Sequence, residues 1–242
     1  MPNVLQTILL MLVFAGAGFV QRVSGFGLGI FAMLFLPYLT PSHTMAAAIS
    51  CLVSCGSSSY NAVKYRKYIP FKTVLPVLLA AFAVIPFAVL LSKHVSTGFF
   101  KLLLGGVLIL LGIYFLCFNS RLTIRPTIPN GIIAGGLGGM LNGLFSTGGP
   151  PVVLFMTHAC TDNLAYFSGI QFYFGLTNIY STVCRIFSGL ITWQILLTAL
   201  LCFCGCMVGD AVGRRVFDRL NAKKLKQIIY IGMMVSGLVM FF

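Results

Sequence analysis

The sequence predicts an all-α polytopic membrane protein made of two inverted repeats, each a broken or re-entrant helical hairpin followed by three transmembrane helices. Three observations carry that expectation. Of 242 residues, 59% are apolar and only 8% charged, against roughly 25% charged in a soluble domain, so most of the surface has to face lipid. Two glycine-rich breaks interrupt the apolar runs about half a chain apart. Most of the basic residues, finally, fall on one side of the membrane only if each broken element goes in and comes back.

The apolar runs cover residues 4–20, 28–39, 44–63, 73–92 and 98–118, then 130–145, 150–160, 164–183, 192–209 and 225–242. A membrane span takes ~20 residues, and the runs at 28–39 and 150–160 are too short to cross easily. A break precedes each of them: Ser24-Gly25-Phe26-Gly27-Leu28-Gly29 and Ser146-Thr147-Gly148-Gly149-Pro150-Pro151. Superimposing the halves at an offset of about 121 residues pairs Gln21 with Asn142, Gly25 with Ser146 and Gly27 with Gly148, the internal symmetry of repeat-built transporters. The polar stretch from Arg121 to Asn130, with Pro126 and Pro129, reads as the linker. The expected repeats are 1–121 and 122–242 within one integral-membrane domain. Met1-Pro2-Asn3-Val4 holds no Lys or Arg before the first run, so a standard cleavable signal peptide is not expected.

The formal charge of +13, from 16 Lys and Arg against three Asp, bears on loop placement and not on nucleic acid, which is not an expected partner. With single crossings at the breaks the basic residues divide evenly. With an in-and-out hairpin at each break, Lys64, Arg66, Lys67, Lys72, Arg121, Arg125, Arg214, Arg215, Arg219, Lys223, Lys224 and Lys226 share one side. Lys93, Lys101 and Arg185 lie opposite. The positive-inside rule then places the larger set in the cytoplasm and both termini outside. Each half makes an odd number of crossings, which inverts the second repeat and brings the two glycine-rich tips together from opposite leaflets.

Unwound backbone at membrane depth persists only where it is buried in protein or lines a wet cavity, so the breaks mark a site. The short runs after them begin with free N–H groups and the positive end of a helix dipole, an arrangement suited to a small anion. Candidate binding groups are Gln21, Arg22, Ser24, Gly25, Gly27, Gly29 and Asn61 in the first half and Asn142, Ser146, Thr147, Gly148, Gly149, Pro150 and Asn178 in the second. The serines of 50–59 are weaker candidates. Asp210 and Arg214, four apart at a helix end, read as an ion pair.

No catalytic group is expected. The chain holds no HExxH, GxSxG or P-loop, its three histidines are scattered, and its eight cysteines lack CxxC spacing and read as small packing residues. No metal or cofactor is therefore expected. The expected partners are a small anionic substrate and the lipid bilayer. An anion channel and a non-transporting membrane scaffold remain as alternatives.

At both breaks the sequence resembles the sulfite exporter TauE/SafE family of multi-pass anion transporters. The resemblance rests on Ser24 to Gly29 followed by Pro37, on Asn142 to Leu154 with its Gly-Gly-Pro-Pro core, and on the two-repeat layout over nearly the whole chain. It implies movement of sulfite, sulfonates or related oxyanions across the bacterial inner membrane, often outward and coupled to an ion gradient.

Overall fold

The computed structural model describes residues 4–113, 116, 125–160, 162–216, 231, 234–235 and 237–240. Nine α-helices are assigned among them: α1 (Val4–Ser24), α2 (Leu28–Leu39), α3 (His43–Lys64), α4 (Phe71–His94), α5 (Thr97–Ile113), α6 (Ile128–Phe145), α7 (Gly149–Ala159), α8 (Asn163–Phe187) and α9 (Trp193–Val216), with a 3-10 turn at Arg66–Tyr68. The start of the expected linker, most of the last apolar run, Asp218 and the basic residues Arg121, Arg219, Lys223, Lys224 and Lys226 lie outside the described residues.

Local chemistry sets the ends of these helices. The Ser42 side chain accepts from the Met45 N–H and starts α3, and Asp162 accepts from the Ala165 N–H to start α8, both N-caps. At the breaks, α1 and α6 stop in the same way. Gly25 turns left-handed at φ 80° and Ser146 at φ 56°, and each N–H closes on the carbonyl four residues back, Gln21 and Asn142 respectively, at 2.8 Å. These are the positions that the 121-residue offset pairs. The chain then folds back: Phe155 of α7 packs on Gly131 of α6 and Val152 on Gly138, an antiparallel hairpin.

The molecule is apolar outside as well as inside. Leu5, Ile8, Leu9 and Leu12 form an exposed stripe on α1, Leu75, Leu79, Phe87 and Leu90 one on α4, and Ile132, Ile133 and Leu137 one on α6, as lipid-facing helices require. Among the described residues, the stretches Leu5–Val23, Phe71–His94 and Trp193–Arg215 are long and apolar enough to cross a membrane. The equally long α3 and α8 are more polar because their serines, amides and Arg185 point inward.

Helix partners come in corresponding pairs. α1 packs chiefly on α9, and α4 on α6; α3 crosses α8 at the centre, with α9 flanking α3 and α4 flanking α8. Two glycine ridges make the close pairs possible. Gly205, Gly209 and Gly213 of α9 lie against Met11, Ala15 and the Phe19–Arg22 turn of α1, and Gly135, Gly139 and Gly143 of α6 lie against Val77, Ala81 and Ala88 of α4. A Cβ at Gly135 or Gly209 would run into the neighbouring backbone, the reason small residues every fourth position let membrane helices touch. Both ridges climb in step with their partners, so α1 runs parallel to α9 and α4 to α6. α3 runs against α8, since Cys51 meets Thr182 while Tyr65 meets Phe167.

Candidate functional site

The two breaks meet. The backbone of Ser146 sits where a side chain at Gly29 would begin, and Phe26 and Phe174 close over Gly149. Between the tips lies a cavity of about 30 Å³ lined by Gln21, Gly27, Leu28, Gly29, Ile30, Ser54, Ser58, Asn142, Ser146, Thr147, Gly148, Gly149, Phe174 and Asn178, room for roughly one or two waters. The N-termini of α2 and α7 both open onto it, and neither carries a side-chain cap. The N–H groups of Leu28, Gly29 and Ile30 precede the first intrahelical bond of α2, which Phe31 makes to the Gly27 carbonyl. In α7 two of the corresponding positions are Pro150 and Pro151, which have no N–H to give. Backbone donors are thus concentrated on the first tip.

Side chains behind the tips differ in how fully they are paired. On the first, Gln21 Nε2 donates to Ser58 Oγ at 3.2 Å and to Gln171 Oε1 at 3.3 Å. Ser57 Oγ donates to Gln21 Oε1 at 2.8 Å, and Gln171 Nε2 to the Gly25 carbonyl at 2.9 Å. This network ties α1, α3, α8 and the first break together. On the second, Asn142 Nδ2 donates to Asn178 Oδ1 at 3.0 Å. Asn142 Oδ1, Ser146 Oγ and Thr147 Oγ1 are buried without a partner.

Of the residues expected at the site, Gln21, Gly27, Gly29, Asn142, Ser146, Thr147, Gly148, Gly149 and Asn178 line the cavity. Gly25 is one step behind, its carbonyl held by Gln171, and Pro150 is buried in the first turn of α7. Arg22 stands away from the cavity, partly buried, with its guanidinium 5.9 Å from the Phe167 ring centroid and its stem on Gly213. Asn61 is buried but turned onto its own helix, donating to the Ser57 carbonyl at 3.1 Å. The Ser24 side chain lies outside the described residues.

The structure also brings in groups given less weight from sequence. Ser54 and Ser58, four apart, present one face of α3 to the cavity, and Gln171 holds the first break. Arg185, counted above among the loop cations, is instead a fully buried residue of α8. Asp210 and Arg214 do form an ion pair, at 3.3 Å. Among the described residues no group of three His, Cys, Asp or Glu is close enough to hold a metal ion.

Two broken helices thus meet tip to tip around a cavity, inside a bundle with an apolar exterior. The model of the family described as sulfite exporter TauE/SafE matches residues 10–240. The chain belongs to that family. It is 28% identical over 193 residues, 77% of this chain and 73% of the relative, to a protein of Cupriavidus necator described as a probable sulfite/organosulfonate exporter TauE. No solved structure matches the chain. As a TauE/SafE member with lipid-facing apolar helices it is a multi-pass membrane transport protein, and its transport chemistry has to be sought at the polar groups that the bundle buries.

Proposed function

We propose that this protein is a secondary transporter that moves a small sulfur-containing oxyanion, sulfite or a sulfonate, across the inner membrane, outward, by alternating access around the two tips. The observation that carries the proposal is the donor-rich, carboxylate-free lining of the cavity. Free N–H groups of α2, the hydroxyls of Ser54, Ser58, Ser146 and Thr147, and the positive ends of two helices converge there, and an anion is the ligand that such a set stabilises. The relative from C. necator is described as exporting sulfite or organosulfonates, which gives the anion its class. A volume of about 30 Å³ is smaller than an ion with one sulfur and three oxygens, so the tips have to part to admit it.

The helix directions support inverted repeats. α1 runs with α9 and α4 with α6, and consecutive spans in the first half alternate, so α6 runs opposite to α1. On the same reasoning the α3–α4 connection, with Lys64, Arg66, Lys67 and Lys72, lies at the end of the bundle that holds Arg214 and Arg215, which the positive-inside rule makes cytoplasmic. Rocking of one repeat against the other would open the cavity to each side in turn, coupled to a gradient of H+ or Na+.

Sulfite counterflow in proteoliposomes tests the reading. Accelerated exchange when unlabelled sulfite or a small sulfonate is trapped inside, saturating with concentration, is the expected result. Flux that rises linearly without counterflow would make the protein a channel, and absent flux of every sulfur oxyanion would reject the proposal.

A further inference from the structure

Arg185 is a fully buried cation in a membrane bundle. Its Nη2 donates to the Gly143 carbonyl in the last turn of α6, while Nη1 and Nε have no partner. Neither of the acidic residues among the described residues answers this charge. Asp162 caps the far end of α8, about 34 Å away along the helix, and Asp210 is paired with Arg214. The dipole at the C-terminus of α6 offers roughly half a negative charge, enough to orient the guanidinium but not to neutralise it. A buried guanidinium without a counter-charge carries one of the largest penalties a fold meets, and in transport proteins such residues mark ion paths.

The surroundings are polar and equally unfinished. The Cys51 sulfur lies beside the guanidinium and bonds Asn178 and Thr182. Ser181, one turn before Arg185, and Ser50, next to Cys51, are fully buried with unpartnered hydroxyls. Arg185 stands two turns beyond Asn178, about 10 Å along α8, and its Gly143 contact directly follows Asn142. The Asn142–Asn178 amide pair therefore separates the guanidinium from the cavity between the tips. Nearby Ser188, whose carbonyl accepts from Lys93 at 3.3 Å, places Arg185 toward the end of the bundle opposite Arg22, Arg214 and Arg215.

We propose that Arg185 holds a second anion position, in which Nη1 or Nε binds an oxyanion on the far side of the Asn142–Asn178 pair from the cavity. The inference rests on the transport reading and adds a station to it: the anion passes from the helix-end cavity to a fixed guanidinium on its way out. Each free N–H is a charge-assisted donor to a sulfite or sulfonate oxygen.

The test is sulfite binding to the purified full chain, followed by thermal unfolding, with sulfite counterflow alongside, in wild type, Arg185→Gln and Arg185→Lys. Arg185→Gln is expected to weaken sulfite stabilisation and slow counterflow by roughly tenfold or more, while unfolding no earlier than wild type in sulfite-free buffer because it removes an uncompensated charge. Arg185→Lys keeps the cation and should fall between. Wild-type sulfite binding with unchanged binding and counterflow in Arg185→Gln overturns the second position alone; failure of wild type to bind any sulfur oxyanion overturns the transport reading as well. If Arg185→Gln does not fold, bromide-soaked wild-type crystals decide. An anomalous peak within hydrogen-bond distance of Nη1 or Nε supports the position, and a bromide map empty there overturns it.

Discussion

The two breaks occupy matching places in the sequence and end their first helices by the same left-handed turn, yet the polar groups behind them are spent differently. Behind the first break, Gln21 uses both ends of its amide on Ser57, Ser58 and Gln171, and Gln171 goes on to hold Gly25. Behind the second, Asn142 makes one bond, and its oxygen and the hydroxyls of Ser146 and Thr147 are left over. Backbone N–H groups run the other way, free at α2 and thinned by two prolines at α7. The lesson is a division of labour. The first tip is braced by side chains and offers backbone, whereas the second is stiffened by proline and offers side chains.

The largest expected effect comes from the point where the tips touch. Gly29→Val places a branched side chain against the Ser146 backbone and opposes closure by up to about 3 kcal/mol, roughly a hundredfold in sulfite exchange, with folding checked by thermal unfolding. The next two changes sharpen the contrast between the tips. Gln21→Leu takes a hydrogen-bond partner from Ser57, Ser58 and Gln171 Oε1 and should cost about 2–4 kcal/mol of stability. Thr147→Val removes a hydroxyl that has no partner without ligand, so stability should hold while sulfite affinity drops roughly tenfold. Equal losses of stability in the two variants would erase the distinction. Ser146→Gly relieves a left-handed non-glycine residue, worth about 1 kcal/mol, and is expected to raise the unfolding temperature while weakening sulfite binding. The smallest effect belongs to Arg22→Gln, less than about threefold on exchange, since a partly buried cation over an aromatic ring, away from the cavity, contributes little.

Much of this was legible in the sequence because glycine spacing reports backbone requirements directly. Gly25 and Gly27 adopt positive φ, Gly29 is needed for close approach, and the offset that pairs Gln21 with Asn142 pairs two residues that both line the cavity. Side-chain direction was harder to read. Asn61 shares the polar character of α3 with Ser54 and Ser58, but it folds back on the Ser57 carbonyl, a local bond that competes with any ligand. Arg22 was close to the break in sequence, yet the α1–α9 packing carries it outward to Gly213. Arg185 followed an apolar run that ends near residue 183, so it read as a loop cation; α8 continues to Phe187 and takes it into the interior. The glycines at 135, 139, 143 and at 205, 209, 213 recur every fourth residue, but only the facing backbones of α4 and α1 show which helix each ridge receives.

The central claim is that the anion sits between the tips, against the N-terminus of α2 and the hydroxyls of the second break. Crystals soaked in selenite, a heavier analogue of sulfite, test it most directly through the anomalous difference map. A selenium peak within hydrogen-bond distance of the Gly29 N–H and Thr147 Oγ1 is the predicted result. Selenium bound elsewhere in the protein, with the tips still closed on each other and nothing between them, would contradict the account.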